Sequence, residues 1–168
     1  MKFLTLFFTL LSFQVFASAE QKAQELGLNL AKKGEPTANF VYAVRTGNLL
    51  FVSGHIPVDK GKVVTGKLGK NTTTEQGAKA ARLAGESILA TIKQQLGSLD
   101  KVSRLVKATG MVNATPEFTK HSQVINGFSD LMVEVFGKQG KHARAAVGMS
   151  SLPLDAVVEV ELILEIKE

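Results

Sequence analysis

The segment VVEVELILEI, Val157 to Ile166, alternates with a period of two. Val158, Val160, Leu162, Leu164 and Ile166 fall on one face; Glu159, Glu161, Ile163, Glu165 and then Lys167 fall on the other. Successive strand residues point to opposite sides, so this is the pattern of a closing strand with one buried face and one open face. Upstream, Ser150 to Asp155 turns through Pro153, and Ala143 to Gly148 reads as a short strand. A basic loop, Lys138 to His142, precedes it. Phe118, Ile125, Phe128, Met132, Val135 and Phe136 recur at helical spacing; Thr115-Pro116 supplies a cap and an N1 proline, and Gly137 a stop. Val102 to Val112 is a strand.

The longest helix is predicted over Thr72 to Leu96. Glu75 stands three residues after Thr72, the spacing of a capping box, and Gly97 follows as the C-terminal stop. Ala78, Ala81, Ile88, Ile92 and Leu96 form its apolar stripe. Before it, Val41 to Arg45 and Leu49 to Ser53 flank Thr46-Gly47-Asn48, a hairpin signal. Asp59 to Lys70 reads as a Gly/Lys-rich loop around a short Val63-Val64 strand, and Glu20 to Lys33 as a helix ended by Gly34. The order hairpin, helix, strand, helix, strand, strand predicts an α+β fold, a mixed sheet with both long helices on one face.

At 168 residues, with 45% apolar and 21% charged residues, the chain is one ordinary globular domain rather than a disordered, collagenous or coiled-coil protein. Residues 1–19 read as a signal peptide. Lys2 precedes an apolar run, Phe3 to Phe16, too short to span a bilayer, and Ala17-Ser18-Ala19 fits the signal-peptidase rule with cleavage before Glu20. The expectation is a secreted or periplasmic protein without stable membrane association after cleavage: an N-terminal helix and connector over 20–37, and one domain over 38–168.

Cysteine is absent, which excludes a disulfide framework, a thiolate metal site and a cysteine nucleophile. His55, His121 and His142 have no metal-ligand spacing and read as surface or interface residues, so no metal is expected. Gly61 to Leu68 nearly matches a phosphate-binding loop, but Leu68 stands where a Ser or Thr would bind Mg²⁺ and no apolar strand feeds it; a surface loop is expected. With one Tyr and no Trp, stacking on nucleobases would rest on Phe and His alone, and a net charge of +5 without a basic arm favours anionic partners only weakly, so no nucleic-acid partner is expected. Arg144 shares its strand face with Ala146 and Gly148, leaving room beside a guanidinium for an anion; the plain alternative is an exposed Arg on an edge strand. Glu159 belongs either to a solvated acidic face or to a pocket where it handles protons, and periodicity does not separate the two.

Two stretches carry a resemblance. One is Val44-Arg45-Thr46-Gly47-Asn48-Leu49-Leu50-Phe51-Val52-Ser53-Gly54-His55-Ile56-Pro57. The other is His142-Ala143-Arg144-Ala145-Ala146-Val147-Gly148 with Leu152-Pro153-Leu154-Asp155-Ala156-Val157-Val158-Glu159-Val160-Glu161. Together they resemble the RidA/YjgF family, historically labelled endoribonuclease L-PSP, over roughly residues 38–168, as a divergent exported branch. The resemblance implies a chorismate-mutase-like α+β fold, a homotrimer with ligand clefts between subunits, and hydrolysis of reactive 2-imino or 2-enamino acids to 2-keto acids and ammonia. It maps the cleft onto Ser53, Asn126, Arg144 and Glu159. Arg144 would clamp the substrate carboxylate, Glu159 would activate water, and Ser53 or Asn126 would bond the nitrogen, with no cofactor.

Three departures bear on the reaction. Ala146 stands where the active deaminases usually carry Cys. An expected aromatic hydroxyl falls on Phe40, with Tyr42 two residues on. The segment before Arg144 is also longer than in those enzymes. They motivate a second reading, a non-catalytic trimer that binds small carboxylates. A third, ribonuclease activity, follows the old label but fits neither the composition nor export.

Overall fold

The computed structural model describes residues 17–32, 34–36 and 38–167. Helices are α1 (Ala19–Glu25), α2 (Thr74–Leu96) and α3 (His121–Phe136). Strands are β1 (Ala43–Thr46), β2 (Leu49–His55), β3 (Val58–Asp59), β4 (Lys62–Val63), β5 (Val102–Asn113), β6 (Ala143–Met149) and β7 (Val158–Ile166). The five-stranded sheet runs β1-β2-β7-β5-β6, and β3 pairs with β4 in a separate small hairpin. Only β5 and β6 run parallel; β1–β2, β2–β7 and β7–β5 are antiparallel. This is the mixed sheet expected from the sequence.

The alternation in β7 becomes a division of faces. Val158, Val160, Leu162, Leu164 and Ile166 are buried under the helices, while Glu159, Ile163 and Glu165 are half-buried and Glu161 exposed on the other side. Ile88, Leu89 and Ile92 of α2 and Ile125, Phe128, Leu131 and Met132 of α3 complete the core. The two helices approach closely at Gly127, where a β-carbon would overlap the carbonyl oxygen of Ala78.

The helix-free face keeps apolar side chains in the open. Val44, Phe51, Val147 and Met149 are exposed on β1, β2 and β6. Val44 pairs with Phe51 and Phe51 with Ile163, so they form one cross-strand row.

Several local expectations shift. The capping box of α2 uses Thr73 and Gln76, one position after Thr72 and Glu75, and Gly97 closes the helix in the left-handed conformation. α1 stops at Glu25 rather than Lys33, with Gly27 at positive φ. α3 begins at His121, not at Thr115-Pro116. The Thr115 amide donates to the Leu68 carbonyl, and Leu68 in turn donates to Asn113, so the 66–72 loop captures the backbone that would otherwise open the helix. Lys138 to His142 is a short 3₁₀ turn over Gly137–Gly140 leading into β6, not an open loop. The near phosphate-loop match becomes the β3–β4 hairpin and its exit.

α1 is tied to the domain through Glu20. Its carboxylate accepts from the Leu99 amide at 2.8 Å and from Lys93 Nζ at 2.7 Å, and its amide donates to Asp100 Oδ1 at 3.3 Å. Ser18 caps the helix in a capping box with Gln21. The signal-peptide reading falls mostly on residues 1–16, outside the described residues.

Candidate functional site

The sequence-predicted residues fall into two groups on one chain. The first gathers at the β2–β7 pair. Val52 pairs with Leu162 and His55 with Val160, so Ser53 and Gly54 together stand opposite Glu161. This β-bulge re-aims the strand locally. It brings Gly54 against Glu159: a β-carbon at Gly54 would overlap Glu159 Oε1. Only glycine leaves the carboxylate its position.

Glu159 is half-buried and accepts no hydrogen bond from a described residue. Burial pushes its carboxyl above the ordinary glutamate range, and the neighbouring Glu161 charge adds to that. Ser53 donates from Oγ to the Val41 carbonyl at 2.7 Å, so its oxygen keeps acceptor capacity. Phe40 is exposed and meets Tyr42 edge-on with centroids 5.9 Å apart, and Tyr42 lies 5.7 Å from the His55 ring. His55, expected at a surface or an interface, is instead 3% exposed in the core and bridges β2 to α2 through Ser53 O and Thr91 Oγ1, both at 2.7 Å.

The second group surrounds Arg144. The plain alternative of an exposed edge-strand arginine holds in part: β6 is the edge strand of the sheet, but Arg144 is half-buried and reaches α3. Its Nη1 donates to Asn126 Oδ1 and to Ser129 Oγ, both at 3.0 Å, and Nη2 donates to the Ser122 carbonyl at 3.3 Å. Three of the five guanidinium protons are engaged. No described residue takes Nε–H or the second Nη2 proton. A fork held from behind, with donors to spare, has the geometry to pair with a planar oxyanion. Ala146 pairs with Gly110 and packs against the core edge. At Gly148 a β-carbon would lie 2.5 Å from His121 Nε2, so the space expected beside the small residues is partly filled by α3. Ser129, in contact with this group, has no signal in the sequence, and His142, read there as a surface or interface residue, is half-buried against it.

The two groups do not meet within one chain. Glu159 pairs with Met111 and Met111 with Val147, so Glu159 and Val147 share a sheet face. Arg144 is three residues from Val147 and therefore on the opposite face. It lies about two strand spacings across, roughly 10 Å, and a further 10 Å or so along the strand. Two clefts of the chain lie elsewhere. One, of about 820 Å³, is between α1, Leu99–Ser103 and the end of α3; the other, of about 450 Å³, is between α2 and the β3–β4 hairpin. Neither is lined by Arg144 or Glu159. Among the described residues no cluster of His, Asp and Glu could hold a metal ion, and no helix is long and apolar enough to cross a membrane.

Similarity to known proteins agrees with this architecture. Protein TCP17 of Trypanosoma cruzi is 43% identical over 145 residues, covering 85% of this chain and 91% of that protein. The crystal structure of Atu1372 from Agrobacterium tumefaciens superposes with a TM-score of 0.81 at 44% identity, covering 89% of this chain and 92% of the other. A structure from Shewanella oneidensis, titled a "putative endoribonuclease", gives a TM-score of 0.85 at 29% identity, covering 89% of this chain and 100% of the other. The family described as "YjgF/chorismate mutase-like, putative endoribonuclease" matches residues 20–166. The chain belongs to the YjgF/RidA family and has its chorismate-mutase-like α+β fold.

Proposed function

We propose that the protein hydrolyses 2-imino and 2-enamino acids to 2-keto acids and ammonia, at a cleft that two copies complete. The observation that carries this reading is the Arg144 fork: three protons fixed by Asn126, Ser129 and Ser122, and two donors left for a carboxylate. The half-site around Glu159 and the bulge supplies what the fork lacks. Because one chain keeps the halves apart, Arg144 of one copy works with Glu159 of its neighbour. The open apolar row Val44, Phe51 and Ile163, with Val147 and Met149, supports assembly through the sheet, and a trimer closes it.

The chemistry runs on these groups. Arg144 binds the carboxylate in two parallel charge-assisted hydrogen bonds and fixes the C=N carbon. Glu159 takes a proton from water as its oxygen bonds to that carbon, and passes the proton to nitrogen. Glu159 then takes the hydroxyl proton of the tetrahedral adduct and gives it to the amino nitrogen; the C–N bond breaks as the C=O bond forms, releasing ammonia and the 2-keto acid. Ser53 Oγ, already donating to Val41, accepts from the imine N–H. An enamine enters by proton transfer to its carbon first. An exported copy, with residues 1–19 removed, would meet imino acids released outside the cytoplasm.

A second reading is a non-catalytic carboxylate binder of the same fold, favoured by Ala146 and Phe40. The deciding experiment generates imino acids in situ with an L-amino-acid oxidase, traps surviving imine with semicarbazide, and compares residues 20–168 with Arg144→Ala. Faster imine loss with the native chain only supports hydrolysis. Equal loss across a broad amino-acid panel, with calorimetric binding of 2-keto acids retained, supports the binder.

A further inference from the structure

Behind the Arg144 fork lies a chain of hydrogen bonds that runs in one direction. His142 Nδ1 is 2.7 Å from the Gly140 carbonyl oxygen. A carbonyl only accepts, so that ring nitrogen carries the hydrogen. In the neutral ring Nε2 is then an acceptor, and Ser129 Oγ, 3.1 Å away, donates to it. The Ser129 hydroxyl has given its proton away and offers its oxygen to Arg144 Nη1 at 3.0 Å. The sequence of donors is Arg144, Ser129, His142, ending on Gly140. The ring is fixed edge-on to Phe128, with centroids 5.6 Å apart.

We infer that His142 is a positioning residue for the carboxylate fork: through the Ser129 hydroxyl it sets where the Arg144 guanidinium points, and it does so only as the neutral Nδ1–H tautomer. The inference rests on the reading of Arg144 as the carboxylate clamp. A Ser–His pair oriented by a carbonyl also has the outline of a nucleophile and its base. Here, however, the guanidinium donates to the serine oxygen and lowers its nucleophilicity, which favours positioning over attack.

The groups that face the His142 ring are Phe128 and Ser129 from α3, the Gly140 carbonyl from the turn and Arg144 from β6; of these, Arg144 carries the charge. Burial, with the Arg144 charge adding to it, holds the imidazole below the ordinary histidine range although the Gly140 bond opposes this. The neutral relay is therefore intact at pH 7 and fails in acid. Protonated Nε2 must donate to Ser129, the hydroxyl proton loses its acceptor, and two cations converge on one oxygen.

The test measures 2-oxobutanoate binding by calorimetry, kcat and KM for imine hydrolysis, and the Arg144 Nε–H resonance, from pH 5 to 8. Variants are His142→Phe, which keeps the packing on Phe128, Ser129→Ala, His142→Gln, whose amide oxygen replaces the Nε2 acceptor without titrating, and Arg144→Ala. The expected result is about tenfold weaker binding and higher KM in His142→Phe and Ser129→Ala, with kcat within about twofold. Wild-type affinity and the Arg144 resonance should follow one titration below pH 6.5 that His142→Gln lacks. Wild-type binding in His142→Phe, or the same titration in His142→Gln, overturns the inference. So does loss of kcat at unchanged KM in Ser129→Ala, which would make the serine a reacting group. If Arg144→Ala binds like wild type, the clamp reading fails by itself; the Arg144 resonance still decides whether His142 governs that side chain.

Discussion

At the scale of single residues, Glu159 carries the sharpest expectation. As the proposed base it must be ionised, and burial raises the pH at which it loses its proton. Its folded pKa lies above the ordinary glutamate value of 4.5, so kcat should rise with pH through a midpoint above 4.5. The same sign applies to stability: the protonated form is favoured in the fold, and that contribution is lost as pH rises through the folded pKa. Glu159→Gln should lower kcat by roughly 10²–10⁴ and abolish the acid limb, which steady-state rates between pH 4 and 8 would reveal. The alternation around Glu159 was readable from sequence because a strand has a fixed period. The environment of Arg144 was not. Asn126 entered only through the family resemblance; Ser129 lies on α3 and His142 beyond the short turn that follows it, and no local pattern records which turn of a helix will lie over which strand residue.

Among the elements, the contact between α2 and α3 is most sensitive at Gly127. Backbone rather than a flexible side chain opposes a β-carbon there, so the helices must separate. Gly127→Ala should cost about 1–3 kcal/mol by chemical denaturation, the usual size of core overpacking. It should also raise KM, because Asn126 and Ser129 flank Gly127 and hold Arg144. Wild-type stability and KM would contradict both parts. The elements themselves were largely legible: the five strands of the sheet and two long helices lie where periodicity puts them. The start of α3 was misplaced because Thr115-Pro116 is a strong local start signal, and pairing of Leu68 with the end of β5 overrides it. The threonine run blurred the cap of α2 by one residue. The bulge at Ser53-Gly54 left no mark, since it is a mismatch between strands that sequence alone does not pair.

For the whole molecule, the open sheet face and the divided site make one claim. If assembly completes the cleft, Phe51→Asp should yield monomers by sedimentation and remove turnover, while the far-ultraviolet dichroism stays native. Full turnover in a monomeric Phe51→Asp would sink the shared cleft. Sequence reading reached the fold, through periodicity and the family resemblance, but left the two halves of the site as one list. Only the sheet register separates Arg144 from Glu159 by face.

The proposed cleavage before Glu20 would change the chemistry of α1. In the full chain the Glu20 nitrogen is a neutral amide beside Asp100, and Ser18 caps the helix. A chain cut between Ala19 and Glu20 loses that serine and acquires an α-ammonium at the same place. The new cation opposes the positive end of the helix, and Asp100 offsets it. The amide nitrogen this cation replaces lies 3.3 Å from Asp100 Oδ1, so the ammonium can pair with that carboxylate, and the pair is lost when the amine gives up its proton; a free α-amine does so at about pH 7.7–8.0. Hydrogen exchange in α1 should accelerate above about pH 8 beyond its intrinsic base catalysis in residues 20–168, but not in the uncut chain or in Asp100→Asn. The proteolytic cut would thus give the helix a charge it did not have, and with it a new dependence on pH.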